Sequence, residues 1–246
     1  MCTMTISKAV CKSRPVRIDH DRALHGLPDF VRKQCSTPKK HFGVFQVDWP
    51  QAFQKRRASG HPAVKMATPQ IEFVYGFHGC AKSVANAVLH SENVSLYSSE
   101  NDYDWLGSGI YFWEAAPVRA LEWAEQKFGQ NDAAVLGAKI KLGHCLNLMD
   151  IDSYRILRQA YQALVDTKVK LPKNSKLLHR LDCIVINAAT MRAEKELNTP
   201  YDTVRCPFVE GEPVFPESHF YDHSHIQISV RNPKSIVSLF PVEIGD

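Results

Sequence analysis

The strand-forming runs of this chain stand at the two ends of residues 71–239, with the helical segments between them, and that order constrains the fold more than any other feature. Aromatic and β-branched residues fill 71–77 and end at a glycine-bounded His78-Gly79, the pattern of a strand that carries a histidine to its tip. Val84, Ala87 and Val88 then follow helical spacing within 81–90, a loop rich in Ser, Asn and Asp occupies 91–104, and 117–128 spaces Ala120, Trp123, Ala124 and Lys127 as a helix does. In 133–142, alternation sets Val135, Gly137, Lys139 and Lys141 against Leu136, Ala138, Ile140 and Leu142, which predicts a strand in a sheet with one buried face. Residues 152–165 and 177–197 read as mainly helical, although 182–186 are also open to a short strand. Strands return at 204–209, 225–230 and 235–239. The expected class is therefore α+β, not an alternating parallel sheet.

At 246 residues and 44% hydrophobic content, the chain can bury one sizeable core, or a domain of about 150 to 200 residues with an appendage. No apolar run approaches the roughly 18 residues of a membrane span. The leading residues run into Lys8, Lys12, Arg14 and Arg17 without the apolar centre of a signal peptide. A cytoplasmic protein with no membrane partner is the expectation. Seven cysteines, an odd number with no Cys-x-x-Cys pair, suggest reduced thiols and neither a disulfide framework nor a zinc ribbon. The charge is divided along the chain: residues 1–70 hold 13 Lys/Arg against 4 Asp/Glu, a net of +9, which leaves −5 for the rest of a chain with formal net charge +4. The expected organisation is a basic N-terminal extension over 1–65, able to attract an anionic partner such as nucleic acid, followed by a domain over 66–246.

The chain has no Gly-x4-Gly-Lys-Ser/Thr loop, no His-Glu-x-x-His and no Gly-x-Ser-x-Gly elbow. Gly107-Ser108-Gly109 is a fragment of a dinucleotide fingerprint, but it precedes a strand-like run and not a helix, which argues against a Rossmann site. What remains is His78-Gly79 after a strand and before a helix, then Gly107-Ser108-Gly109-Ile110-Tyr111-Phe112, then a helix carrying alanines and an aromatic residue.

That succession resembles the PARP-like ADP-ribosyltransferases over the C-terminal 175 or so residues. The resemblance implies a fold of split antiparallel β-sheets with flanking helices, and it implies NAD+ as co-substrate with no metal. His78 would hydrogen-bond the nicotinamide ribose, the Gly79 backbone would hold the carboxamide, and Tyr111 would pack on the nicotinamide ring. These residue types suit the tasks: a neutral imidazole both donates and accepts, glycine permits close backbone approach, and tyrosine offers a flat face with a polar tip. Trp123 is open to a second aromatic wall or to plain core packing.

The third family position departs from the pattern. Aligned on the terminal strand, Gln227 stands where the family carries its catalytic glutamate. An amide can hold a ribose hydroxyl but can neither take a proton nor offset positive charge in an oxocarbenium-like transition state. The resemblance then implies mono-ADP-ribosyl transfer to a protein or to RNA/DNA. It also implies a role as a toxin or defence effector, with an antitoxin or inhibitor as a further partner. An inactive NAD- or ADP-ribose-binding module and an RNA-directed enzyme stay open beside it. Glu212, with Glu210 after it, is the candidate to orient or deprotonate the acceptor from the loop before that strand. His219, Asp222, His223 and His225 form a cluster that leaves open a metal site, ordinary loop and strand histidines, or a nucleotide- or acceptor-facing His225. On a strand, His223, His225 and Gln227 would share one face.

Overall fold

A computed structural model describes residues 72–91, 95–175 and 178–245. The basic stretch 1–65, the boundary after it and Ile71 of the first expected strand lie outside the described residues. Strands β1 (Phe73–Ala81), β2 (Ile110–Glu114), β3 (Ala133–Lys141), β4 (Cys145–Asn147), β5 (Thr203–Phe208), β6 (His225–Val230) and β7 (Ile236–Pro241) form one sheet in the order β4-β5-β6-β2-β1-β3-β7. Every junction is antiparallel except the parallel β4–β5 pair. The helices are α1 (Lys82–His90), α2 (Pro117–Phe128), α3 (Ser153–Asp166) and α4 (Arg180–Lys195). The class is α+β, as the order of elements predicts. None of these helices is long and apolar enough to cross a membrane.

The expectation of two separate sheets is corrected to one sheet with a weak seam. β1 matches β3 over nine Cα pairs, from Phe73 opposite Lys141 to Ala81 opposite Ala133. It meets β2 over two, Gly76 opposite Glu114 and Phe77 opposite Trp113. Beyond Phe77 the ladder between β1 and β2 stops. His78 is correspondingly not at a strand tip: β1 continues through it to Ala81, because β3 supplies partners along the whole length, and only the edge toward β2 comes to an end there.

The alternation in β3 predicts one buried face, and the structure buries both. Leu136, Ala138 and Ile140 are wholly enclosed and join Phe112, Ile228 and Val230 in a core closed by α1. On the opposite face Val135 is buried under α2 with Trp113 and Ala120, and Phe240 lies against Gly137, where an added Cβ would come within 2.1 Å of the ring. Lys139 is half-buried, with its ammonium 4.4 Å over the Phe73 ring centroid, and Lys141 is exposed. The helix α2 starts on Pro117, which has no N–H to lose and a preset φ, and it stops at Gly129, whose N–H closes on the Glu125 carbonyl at 2.8 Å. Residues 182–186, open to either state in the sequence, are helical. Cys183, Ile186 and Thr190 are all buried at helical spacing, and Val185, Ala188 and Ala189 pack against Ala160 and Leu164 of α3.

Candidate functional site

The seam carries His78, Gly79 and Tyr111, while Gln227 lies one strand further on, in β6, and Glu212 in the loop before it. At the seam's closed end the Tyr75 carbonyl accepts from the Ala115 N–H at 2.9 Å, so Tyr75 turns its backbone polar groups toward β2. Alternation along a strand then turns those of Phe77 and Gly79 the same way. Phe77 faces Trp113, but among the described residues the β1–β2 ladder has no register pair at Gly79, whose backbone lies on the edge beyond the ladder's end. The gap is bridged by a side chain. The His78 Nδ1–H donates to the Tyr111 carbonyl at 2.8 Å, which leaves the Nε2 lone pair free. Burial lowers the His78 pKa from its ordinary value; Lys127 pushes the same way, and the Tyr111 carbonyl opposes both. The ring is neutral at pH 7.

The side chain of Gly79 is hydrogen for a packing reason as well. An added Cβ would stand 2.2 Å from the Ala120 carbonyl oxygen and 3.2 Å from Trp123 Cε3, so α2 seats directly on this residue. Trp123 packs on Trp113 with ring centroids 5.7 Å apart, and the Lys127 ammonium lies 4.5 Å over its ring centroid.

His78 and Tyr111 leave the sheet on opposite faces. His78 lies against Phe112, with centroids 5.6 Å apart, whereas Tyr111 joins Leu106, Leu146 and Ile186 on the face that carries Trp113 and Gln227. The Tyr111 hydroxyl donates to the Gly107 carbonyl at 2.7 Å and accepts from the Leu106 N–H at 3.0 Å, and burial raises its pKa above the ordinary phenol range. It therefore pins the turn before β2 as a neutral phenol. The two glycines of that turn permit close approach: at Gly107, with φ +70°, a Cβ would lie 2.4 Å from Asn187 Oδ1, and at Gly109 one would lie 2.1 Å from Ser229 Oγ. Asn187 Oδ1 in turn accepts the Ser108 N–H at 3.0 Å.

Gln227 stands opposite Trp113 on β6, half-buried, and its Nε2–H donates to His225 Nε2 at 2.9 Å. His225 is enclosed, with Phe208 at 5.8 Å and Trp113 at 6.4 Å between ring centroids. Around it runs a charged cluster: Glu210 Oε2 is 3.8 Å from His225 Nδ1 and 3.2 Å from Arg119 Nη2, and Glu122 joins Arg119 Nη1 at 2.7 Å and His223 Nε2 at 3.6 Å. Glu210, and not Glu212, is thus the carboxylate beside the Gln227–His225 pair. Glu212 is exposed, with its backbone tied to Asp222 and no side-chain partner among the described residues. Two buried donors near this cluster, Trp113 Nε1 and Arg119 Nε, have no protein acceptor among the described residues and call for a water or ligand oxygen. No three His, Cys, Asp or Glu side chains among the described residues are arranged to hold a metal ion.

Set against protein-family models, curated proteins and solved structures, the chain matches none of them.

Sequence reasoning missed three features near the site. Arg205 and Glu114 form a bidentate pair, 2.6 Å from Nε to Oε2 and 2.7 Å from Nη2 to Oε1, which reaches across β6 on the His78 face. An acidic residue closing the aromatic run of β2 was the only signal for it. A cavity of about 330 Å³ opens on the Tyr111 face between Trp105, Phe208, Tyr161, Leu148, Ile186 and Cys206. A second, more polar cavity of about 370 Å³ lies by Ser108, Arg231, Asp202 and Asn232. Cys206, like Cys80, has its thiol pushed up to about 11 by burial, so neither is a ready nucleophile.

Proposed function

We propose that the chain is a mono-ADP-ribosyltransferase that binds NAD+ at the seam between β1 and β2 and transfers ADP-ribose to a macromolecular acceptor. The observation that carries this reading is the end of the β1–β2 ladder at Phe77, which leaves the Gly79 edge without a register pair on β2 beside a neutral histidine. A carboxamide presents one donor and one acceptor in a plane, the complement of a strand edge, and a neutral His78 that donates from Nδ1 keeps an Nε2 lone pair able to accept a hydroxyl. One aromatic ring supports it further, since Trp123 stands next to Gly79.

In the reaction the bond between the anomeric carbon and the nicotinamide nitrogen breaks, and its electron pair neutralises the pyridinium. The acceptor nucleophile then bonds to the anomeric carbon and gives up its proton. Glu212, exposed and unengaged, is the carboxylate assigned to that proton, since Glu210 is held by Arg119. Gln227 holds a ribose hydroxyl without taking its proton, which disfavours repeated elongation and fits single transfer.

Incubation of the full chain with NAD+ labelled on its adenylate phosphate, together with a cell lysate, tests the reading. Label stable to nuclease and lost to protease means a protein acceptor; label lost to nuclease means RNA or DNA, the outcome that the +9 leader favours. Retention of NAD+ without nicotinamide release would select the binding-module alternative that Gln227 allows. Gln227→Glu is expected to raise NAD+ hydrolysis, read as nicotinamide released in the absence of acceptor. Unchanged or reduced hydrolysis would remove Gln227 from the site.

A further inference from the structure

We propose that His225 is a positioning residue that fixes the Gln227 carboxamide with its oxygen toward the NAD+ cleft, so that a neutral amide presents a hydroxyl acceptor where a carboxylate would otherwise stand. This rests on the ADP-ribosyl-transfer reading of the site. The His225 Nδ1–H donates to the His223 carbonyl at 2.7 Å. A neutral ring with that proton carries its lone pair on Nε2, and the partner found there at 2.9 Å is the Gln227 amide nitrogen. With the nitrogen committed, Gln227 Oε1 has no protein donor among the described residues and is free for a ribose hydroxyl. The reverse orientation would set Oε1 against Nε2, and a hydrogen bond there requires an imidazolium.

The surroundings oppose that cation. The side chain of His225 is fully enclosed, between Phe208 of β5 and Trp113 of β2. Burial is the largest influence and lowers its pKa, and Arg119 of α2 and His223 add to the lowering; the His223 carbonyl and Glu210 oppose it. Acidification below the ordinary imidazole value of about 6.5 eventually adds the second proton. Nε2 then becomes a donor, the amide turns to offer Oε1 to it, and the NH2 group faces the ribose. Activity is therefore lost on the acid side through a histidine that touches no substrate.

The direct test is nitrogen NMR of the full chain labelled on histidine and glutamine. At neutral pH, His225 is expected to carry its proton on Nδ1 and none on Nε2, and His225→Phe is expected to shift the Gln227 side-chain NH2 resonances. A proton on Nε2 at neutral pH would overturn the proposal, whatever the enzyme does. In kinetics, His225→Phe should lower kcat by up to about 10²-fold, as misplacement of a reacting geometry does, with KM for NAD+ changed far less. It should also change the acid limb of the pH profile, because the loss through His225 disappears and only that through the neutral His78 remains, whereas a loss of packing alone would leave the limb as in wild type. An acid limb unchanged from wild type in His225→Phe also overturns the proposal. If no turnover is seen in the wild-type protein, the transferase reading fails, while the tautomer still decides the positioning.

Discussion

Valine in place of Gly79 is expected to unseat α2 and destabilise the fold by more than the roughly 1–3 kcal/mol of ordinary overpacking. The obstacle is main chain: the first added carbon would stand 2.2 Å from the Ala120 carbonyl oxygen, within a helix that covers Trp113 and Val135. A flexible side chain could turn aside, but a helical carbonyl cannot move without its neighbours. Urea unfolding of Gly79→Val against wild type reads the effect. A midpoint within experimental scatter of wild type would mean that α2 does not seat on β1 as described. Because the same substitution would also crowd the proposed carboxamide site, its loss of activity says little about chemistry; His78 is the better position for that question.

Leucine in place of Arg205 is expected to cost about 3–5 kcal/mol, because it strands a carboxylate in the interior. The side chains of Arg205 and Glu114 retain 6% and 13% of their exposure, so solvent does little to screen the charge left behind. Arg205 also reaches Asn147 Oδ1 at 3.4 Å, so its loss loosens the β4–β5 end of the sheet. The double substitution Arg205→Leu with Glu114→Leu should recover most of that stability, since two apolar groups need no partner. A double variant no more stable than Arg205→Leu alone would show that shape, and not the unpaired charge, sets the cost.

The helix α2 was legible to the residue, because Pro117 and Gly129 punctuate it and its apolar spacing is regular. Residues 182–186 were ambiguous, since an apolar run of five satisfies both periods, and only the burial of Cys183 and Thr190 at one helical face resolves it. The single sheet was not legible: its continuity depends on two Cα pairs at Gly76 and Phe77, and no local pattern encodes so short a ladder. The second buried face of β3 was hidden for a similar reason, because what covers Val135 and Gly137 comes from α2 and β7. At the site, the spacing of His225 and Gln227 on one strand face was readable from period two, and the structure adds the hydrogen bond between them. A loop offers no period by which to order Glu210 and Glu212, and only the structure sets Glu210 beside His225.

The decisive measurement is nicotinamide release by the full chain supplied with NAD+, made in parallel on wild type and on His78→Ala. Release by wild type that falls to the buffer background in His78→Ala, with the unfolding midpoint of the variant close to wild type, is the predicted result. No release by wild type, or equal release by the two proteins, would contradict cleavage of NAD+ at the β1–β2 seam.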